Sequence, residues 1–179
     1  MSNKKFPRIY SLSTVGIRNH YNSNYRFHPF RTDFAGDSGV GKSIIADVLQ
    51  LILVGEREFK SATDSSSERE ARKLIIERYG YVFLNIAIDT DKFIVIGMYI
   101  STTSIDPFII QANIGLDVFE PLSSPLISKD FMLGDEIIDI TNLPERMKEN
   151  KQAYAAKLSL NKYHELLEQN KILPIDLKT

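Results

Sequence analysis

Apolar and polar positions alternate along the start of the chain in the way that strands require. Residues 9–17 alternate between apolar and polar side chains and residues 25–34 do so again, which predicts two extended segments. Between them, residues 19–24 are polar and predict a turn. Pro29 predicts a bend in the second segment, because proline cannot donate to a strand ladder.

Two long apolar runs, at residues 81–88 and 93–100, are rich in β-branched and aromatic side chains and predict neighbouring strands. Only residues 89–92 separate them. Such a short link permits an antiparallel hairpin and excludes a parallel crossover, which needs about a dozen residues or more. A third strand at residues 107–112 is expected to extend the hairpin into an antiparallel meander.

Helices are predicted before and after the meander. Ser67 and Glu70 fit a capping box, which begins a helix that runs to about Arg78. Two prolines make residues 118–141 irregular, and residues 142–170 then have a helical composition. The residues that can form an apolar stripe on that last segment are Leu158, Tyr163, Leu166 and Leu167.

Size and composition bound the chemistry. The 179 residues contain 43% hydrophobic and 25% charged side chains, which is ordinary for a globular domain, and the net charge of −1 gives no overall attraction to nucleic acid or membrane. The absence of cysteine excludes disulfides and thiolate metal sites and suits a cytoplasmic location. No apolar run approaches the roughly 20 residues that span a bilayer, so no membrane partner is expected. The three histidines show no metal-ligand spacing.

A phosphate-binding loop is the strongest chemical signal in the sequence. Its residues, Gly36, Asp37, Ser38, Gly39, Val40, Gly41, Lys42 and Ser43, fit the pattern G-x-x-x-x-G-K-[ST] of nucleoside triphosphatases. The glycines let successive backbone N–H groups point at phosphate oxygens, Lys42 adds a positive charge, and Ser43 offers a hydroxyl to Mg²⁺. We expect these residues to hold ATP and Mg²⁺.

The context of the motif agrees with that interpretation. A predicted strand precedes it, and residues 43–54 carry apolar side chains over most of a helix surface, so the helix is expected to be buried and to end at Gly55. An ordinary glycine-rich turn before a helix is the alternative, but it does not account for lysine and serine in this register.

The motif and the sequence that follows it (Ile44-Ile45-Ala46-Asp47-Val48-Leu49-Gln50) resemble the SMC, RecN, RecF and SbcC-type ATPases of the ABC superfamily. Ser38 stands where those proteins commonly have asparagine. The start of the chain, the hairpin and the ending around residues 163–177 are similar to SMC-like proteins of Lamassu and Wadjet anti-phage and anti-plasmid systems. The resemblance implies an α/β fold with α+β character, the N-terminal lobe of a P-loop ABC-type ATPase head with an antiparallel meander and C-terminal helices.

The same resemblance implies the domain organisation and partners. Residues 1–141 would form the N-terminal lobe, and residues 142–179 a helical segment that leads toward a coiled coil or a partner lobe. A C-terminal lobe would supply the signature and Walker B motifs, and a second head would complete a dimer. DNA and effector subunits are further expected partners.

Hydrolysis in that superfamily needs four apolar residues followed by Asp and a catalytic Glu, and no stretch of this chain provides them. Asp135-Glu136 follows Gly134 rather than an apolar strand, and the segment that ends at Asp176 contains Pro174 and lacks the glutamate. No L-S-G-G-type signature occurs either. We therefore expect one half of a split head, either a fragment or a truncated relative, which hydrolyses ATP only when the C-terminal lobe completes it.

Two further site residues are implied by the resemblance. Gln111 follows an apolar strand and corresponds to the glutamine loop that contacts Mg²⁺ and the attacking water; a strand-end residue in solvent is the alternative. Arg57 corresponds to a loop arginine that meets nucleotide or DNA, and the alternative is a solvated charge. Four basic residues between 69 and 78 can form a phosphate-binding face, although interspersed glutamates favour an ordinary solvated helix.

Three functions remain open from the sequence. The first is the ATP-binding lobe of an SMC-like head that acts in DNA binding or sensing, in antiviral or anti-plasmid defence or in DNA repair. The second is a truncated, non-catalytic module that binds a partner ATPase head. A small-molecule P-loop kinase is the third, but it requires parallel strands and a substrate lid, which the pattern does not predict.

Overall fold

A computed structural model describes residues 7–17, 20–26, 52, 75, 78–102, 105–113 and 120–169. The described elements are β1 (Arg8–Ile17), β2 (His20–Arg26), β3 (Tyr79–Asp89), β4 (Lys92–Ser101), β5 (Ile105–Gln111), a 3₁₀ turn (Ser128–Phe131), β6 (Met132–Leu133), β7 (Glu136–Ile137), α1 (Leu143–Lys151), β8 (Tyr154–Lys157) and α2 (Leu160–Gln169). No helix within these ranges is long and apolar enough to cross a membrane.

The described strands form one large sheet and one small hairpin. The large sheet has six strands in the order β2-β1-β3-β4-β5-β8, and every neighbouring pair is antiparallel. Strands β6 and β7 pair separately. The protein is therefore a mixed α/β structure with an antiparallel sheet, as the short link between the two apolar runs predicts.

The β3–β4 hairpin lies at the centre of the large sheet. Its register runs from Tyr79 opposite Ser101 to Asp89 opposite Lys92. Asp91 adopts a left-handed backbone (φ 56°) in the tight turn, a conformation that aspartate tolerates better than most residues. The predicted antiparallel hairpin is confirmed, and so is the third strand of the meander, β5.

Both faces of this hairpin are buried, because successive residues of a strand point to opposite sides. Together with the neighbouring strands β1 and β5, one face carries Leu12, Val82, Leu84, Ile86, Ile94, Ile96, Met98, Ile100 and Ile109. The other carries Val15, Tyr81, Phe83, Val95, Tyr99, Phe108 and Ile110. A sheet that is apolar on both sides needs a cover on each side, and the rest of the described chain provides the two covers.

Helix α2 covers the first face. Tyr163, Leu166 and Leu167 belong to the same buried cluster as the strand residues, together with Ile52. Three of the four residues in the predicted apolar stripe are therefore buried, and Leu158 packs against the cluster while partly exposed.

The second face is covered by a crossing segment, residues 120–131, which passes over the strands in their spatial order. At β5, the backbone N–H of Ala112 donates to the carbonyl of Glu120 (2.8 Å). At β4, Phe93 and Leu122 exchange two backbone hydrogen bonds of 2.9 and 2.7 Å. These pairs fix the start of the segment to the sheet.

Two asparagines hold the middle and the end of the crossing segment. Asn85 of β3 donates to the Leu126 carbonyl (2.8 Å) and accepts the Leu126 N–H (2.9 Å), and it also donates to the Ser11 hydroxyl (2.8 Å). Asn24 of β2 accepts the N–H of Ser128 (3.0 Å) and donates to its hydroxyl (3.1 Å). The amide side chains of the buried Asn85 and the exposed Asn24 thus replace the strand pairing that the segment lacks.

Three secondary-structure predictions need correction. The predicted turn at residues 19–24 is wrong where it is described, because residues 20–24 belong to β2 and pair with β1. The helix predicted to reach Arg78 does not include Ile75, which forms an isolated β-bridge with Ile17. The long helix predicted at residues 142–170 is two shorter helices separated by β8, which pairs with β5. In the second and third cases, a pairing partner distant in sequence decides the conformation, whereas β2 pairs with the adjacent strand β1.

Gly97 should be intolerant of a side chain. A Cβ atom there would lie 2.6 Å from Phe83 Cβ and 2.8 Å from Phe108 Cζ. We expect Gly97→Ala to lower the free energy of unfolding by about 3 kcal/mol, at the upper end of overpacking effects. Gly134→Ala is the control, because its Cβ would meet nothing within 4 Å and only its left-handed backbone (φ 64°) would cost about 1 kcal/mol. Urea unfolding measures both variants, and equal losses would contradict the packing explanation.

Asn85 should be essential for the crossing segment. Asn85→Ala leaves the buried N–H and C=O of Leu126 without their partners, which we expect to cost about 3 kcal/mol of unfolding free energy. Asn142→Ala is the matched control, because Asn142 is exposed and makes no capping hydrogen bond through its side chain; it should cost less than about 0.5 kcal/mol. Denaturant titration of both variants tests the difference.

Candidate functional site

The predicted phosphate loop, residues 36–43, and Arg57 lie outside the described residues. The structure describes one residue of the helix predicted to follow the loop. Ile52 is helical, has no exposed surface, and packs in the cluster beneath α2. At this position, the predicted helix is present and buried as expected.

Tyr163 of α2 is hydrogen-bonded to that helical residue. Its hydroxyl donates to the Ile52 carbonyl at 2.7 Å, and both residues are completely buried. If the helix ends at Gly55 as predicted, this carbonyl is one of the last four, which have no partner within the helix. Tyr163 thus satisfies a buried acceptor and connects α2 to the helical residue Ile52.

Burial raises the pKa of Tyr163 well above its ordinary value near 10. Burial also raises the pKa of Tyr81, whose hydroxyl donates to the Ile138 carbonyl, and raises the pKa of Tyr99 to about 12. A raised folded-state pKa means that the folded protein holds the proton more tightly than the unfolded chain. The stabilisation is therefore complete below pH 10 and is lost as the pH rises above it.

Gln111 lies among the described residues, and it does not face solvent at the end of its strand. Its side chain is 1% exposed, and Oε1 accepts the backbone N–H of Glu120 at 2.9 Å. It also lies opposite Tyr154 in the β5–β8 pair. Gln111 therefore fixes the start of the crossing segment. The contact of Gln111 with Mg²⁺ stays a prediction. The ion would have to bind the lone pair of Oε1 that does not accept the Glu120 N–H.

Metal ligands are not clustered in the part of the chain that the structure describes. No group of three or more histidine, aspartate or glutamate residues there is arranged to hold an ion. His164 lies on α2 with its ring 5.8 Å from that of Tyr163. For ATP and Mg²⁺, the fitting donors are those of the predicted loop, where backbone amides, an ammonium and a hydroxyl match a phosphate and its counterion.

An arginine–tyrosine cluster at the edge of the sheet is absent from the sequence predictions. The register of β1 against β3 shifts between Ile9 and Ser11, which leaves Tyr10 at a bulge. Arg26 Cζ lies 3.9 Å and Arg8 Cζ 5.7 Å from the centre of the Tyr10 ring. Burial, followed by the charge of Arg26, lowers the pKa of Arg8. The alternation of residues 9–17 could not reveal this cluster, because a bulge changes which residues share a face.

A second polar feature is an open cleft of about 360 Å³ beside α1. Its acidic side chains are Glu136, Asp139, Glu145 and Glu149. Arg146 also lines it and donates to the Met132 carbonyl at 3.0 Å. This hydrogen bond joins α1 to the β6–β7 hairpin, and the cleft lies between these two elements.

Comparison with protein-family models and with curated proteins gave no match to this chain.

Tyr163→Phe should weaken the connection between α2 and the helix at Ile52 without changing the packing of the ring. Loss of the buried hydrogen bond is expected to cost about 1–2 kcal/mol of unfolding free energy at pH 7. The variant should also lose stability less steeply above pH 10, because each titrating tyrosine contributes up to about 1.4 kcal/mol per pH unit there. Denaturant titrations between pH 7 and pH 11 measure both effects.

Tyr154→Phe is the control for this experiment, because the Tyr154 hydroxyl has no hydrogen-bond partner among the described residues. It should leave the stability at pH 7 unchanged. Identical curves for the wild type and Tyr163→Phe would show that the hydroxyl does not stabilise the fold.

Proposed function

We propose that this chain is the ATP-binding half of an SMC-like ATPase head that acts in DNA binding or sensing, in anti-phage or anti-plasmid defence or in DNA repair. The observation that carries the proposal is the loop sequence from Gly36 to Ser43, with lysine and serine in register between a predicted strand and a predicted buried helix. The proposed location is the cytoplasm.

The described geometry supports the proposal in two ways. The helical residue Ile52 lies buried against the first face of the sheet, where a P-loop helix would pack. Ile52 lies nine positions after Ser43, so a continuous helix would place the loop about 14 Å from Ile52 along the helix axis, at the opposite end of the helix. The loop would then lie at the end of a helix whose other end is fixed.

In this proposal each residue has one role. The backbone amides of Gly39 and Gly41 and the ammonium of Lys42 would hold the phosphates, and Ser43 would hold Mg²⁺. Gln111 would contact the metal, and Arg57 would contact nucleotide or DNA. ATP supplies the free energy of phosphoryl transfer when it is bound. A C-terminal lobe and a second head would complete the hydrolytic site, because the chain contains no apolar-Asp-Glu strand and no signature.

The absence of the apolar-Asp-Glu pattern and of the signature from the sequence also favours a second candidate, a non-catalytic module that binds a partner ATPase head. Such a module would use the lobe as a binding surface, with or without nucleotide. The two candidates differ in whether association with the partner head depends on Lys42.

Lys42→Ala should weaken nucleotide binding and abolish hydrolysis. We expect the affinity of the full chain for a fluorescent ATP analogue in Mg²⁺ to fall about tenfold or more, as for loss of a charged hydrogen bond. Co-expression with a C-terminal head lobe should produce ATPase activity in the wild type and not in Lys42→Ala. Fluorescence titration and phosphate release are the measurements.

Lys60→Ala is the control, because it removes a lysine of the same region outside the loop motif. It should retain both properties. A reconstituted head that hydrolyses ATP equally well with Lys42→Ala would refute the ATPase proposal. Association with the partner head that is the same in the wild type and Lys42→Ala, with or without ATP, would favour the interaction module.

A further inference from the structure

A cavity of about 390 Å³ lies between α1 and the outer strand β8 in the part of the chain that the structure describes. Its floor is apolar and consists of Pro144, Ala155 and Ala156. Five polar side chains surround the floor, and two of them are charged: Gln111, Asn113, Glu145, Lys148 and Tyr154. Such a combination of apolar floor and few polar groups is typical of small-molecule sites, and the volume lies near the lower end of their range of roughly 300–1,000 Å³.

The walls of this cavity are fixed by the core. Leu143 and Met147 of α1 are completely buried, which sets the rotation of the helix and turns Pro144, Glu145 and Lys148 away from the core. Helix α1 ends at Lys151, and the next residue, Gln152, caps it in a left-handed conformation (φ 53°) with its N–H donating to the Met147 carbonyl. The next N–H, that of Ala153, also donates to this carbonyl, at 3.1 Å. The chain then enters β8 directly, so the helix and the strand hold the polar groups at a defined separation.

Glu145 and Lys148 present opposite charges to the cavity. They are three residues apart on α1, so their side chains are neighbours on one side of the helix. Both are exposed, and neither forms an ion pair with a described residue. An ammonium and a carboxylate are therefore available together, about one helical turn apart.

Tyr154 provides a third polar group. It is half-buried at the start of β8, and its hydroxyl has no hydrogen-bond partner within the described ranges. A phenol can donate to a carboxylate or accept from an ammonium. It therefore complements either charge of a bound zwitterion.

We propose that this cavity binds an α-amino acid with an apolar side chain. The ligand's carboxylate pairs with Lys148, its ammonium pairs with Glu145, and its side chain packs on Pro144, Ala155 and Ala156. An anion without an amino group would leave Glu145 unpaired beside it, and a cation without a carboxylate would do the same to Lys148, so the paired charges favour the zwitterion over either. Gln111, which lines this cavity, is also the residue proposed to contact Mg²⁺, but the charge pairing that holds the zwitterion uses only Glu145 and Lys148.

Three related probes test the charge pairing on the full chain. L-Phenylalanine carries both charged groups, phenethylamine lacks the carboxylate, and 3-phenylpropionate lacks the amino group. We expect ligand-observed NMR to show saturable binding of phenylalanine to the wild type, about tenfold or more tighter than either analogue. No saturable binding of phenylalanine, or equal affinity for all three probes, would refute the proposal.

Two substitutions should each remove one part of the preference for phenylalanine over its two analogues. Lys148→Gln should abolish the preference for phenylalanine over phenethylamine while retaining that over 3-phenylpropionate, and Glu145→Gln should do the reverse. Both residues are exposed, so the fold should be retained, which circular dichroism checks. Lys162→Gln and Glu168→Gln, which are exposed on α2, are the matched controls and should change no affinity. Equal effects of control and site variants would contradict the proposed placement of the ligand.

Discussion

The structure depends on burial of both faces of the β3–β4 hairpin. Phe83 and Tyr81 point to one face and Val82 and Leu84 to the other, and all four are completely buried. Burying a side chain of this size contributes roughly 1.5–3 kcal/mol, so neither face can be left in water. The fold therefore consists of the hairpin and two covers, with α2 and the helix at Ile52 on one face and the crossing segment and α1 on the other.

Each cover is fixed by buried hydrogen bonds at defined points. On one side of the sheet, the Asn85 side chain accepts the Leu126 N–H and donates to the Leu126 carbonyl. On the other side, the Tyr163 hydroxyl donates to the Ile52 carbonyl. Hydrophobic contact alone does not set a register, because apolar contacts are non-directional. These few polar side chains set it, since an unpaired buried donor or acceptor is costly. The position of the helix that follows the predicted phosphate loop thus depends on a residue more than a hundred positions later in the chain.

The two proposed sites rely on different parts of this arrangement. The nucleotide loop would lie at the far end of the helix that packs on the first face, where Tyr163 holds the nearer end. The proposed amino-acid cavity lies on the opposite side, where the buried residues Leu143 and Met147 orient α1 against β8. Gln111 connects the sheet to the second cover through the N–H of Glu120. Gln111 also lines the proposed amino-acid cavity and is the residue proposed to contact Mg²⁺, so the two sites share this side chain.

The sequence by itself determined the central hairpin, because two apolar runs joined by four residues, 89–92, permit only antiparallel pairing. It also determined the apolar side of α2, and the phosphate-loop motif is visible only as sequence. Tertiary structure alone decided that the polar residues 20–24 form an edge strand, that residues 154–157 pair with β5, and that Gln111 is buried. Nor could the sequence bring Glu145, Lys148 and Tyr154 around one cavity. These features depend on contacts between separate elements, and local propensity carries no information about such contacts.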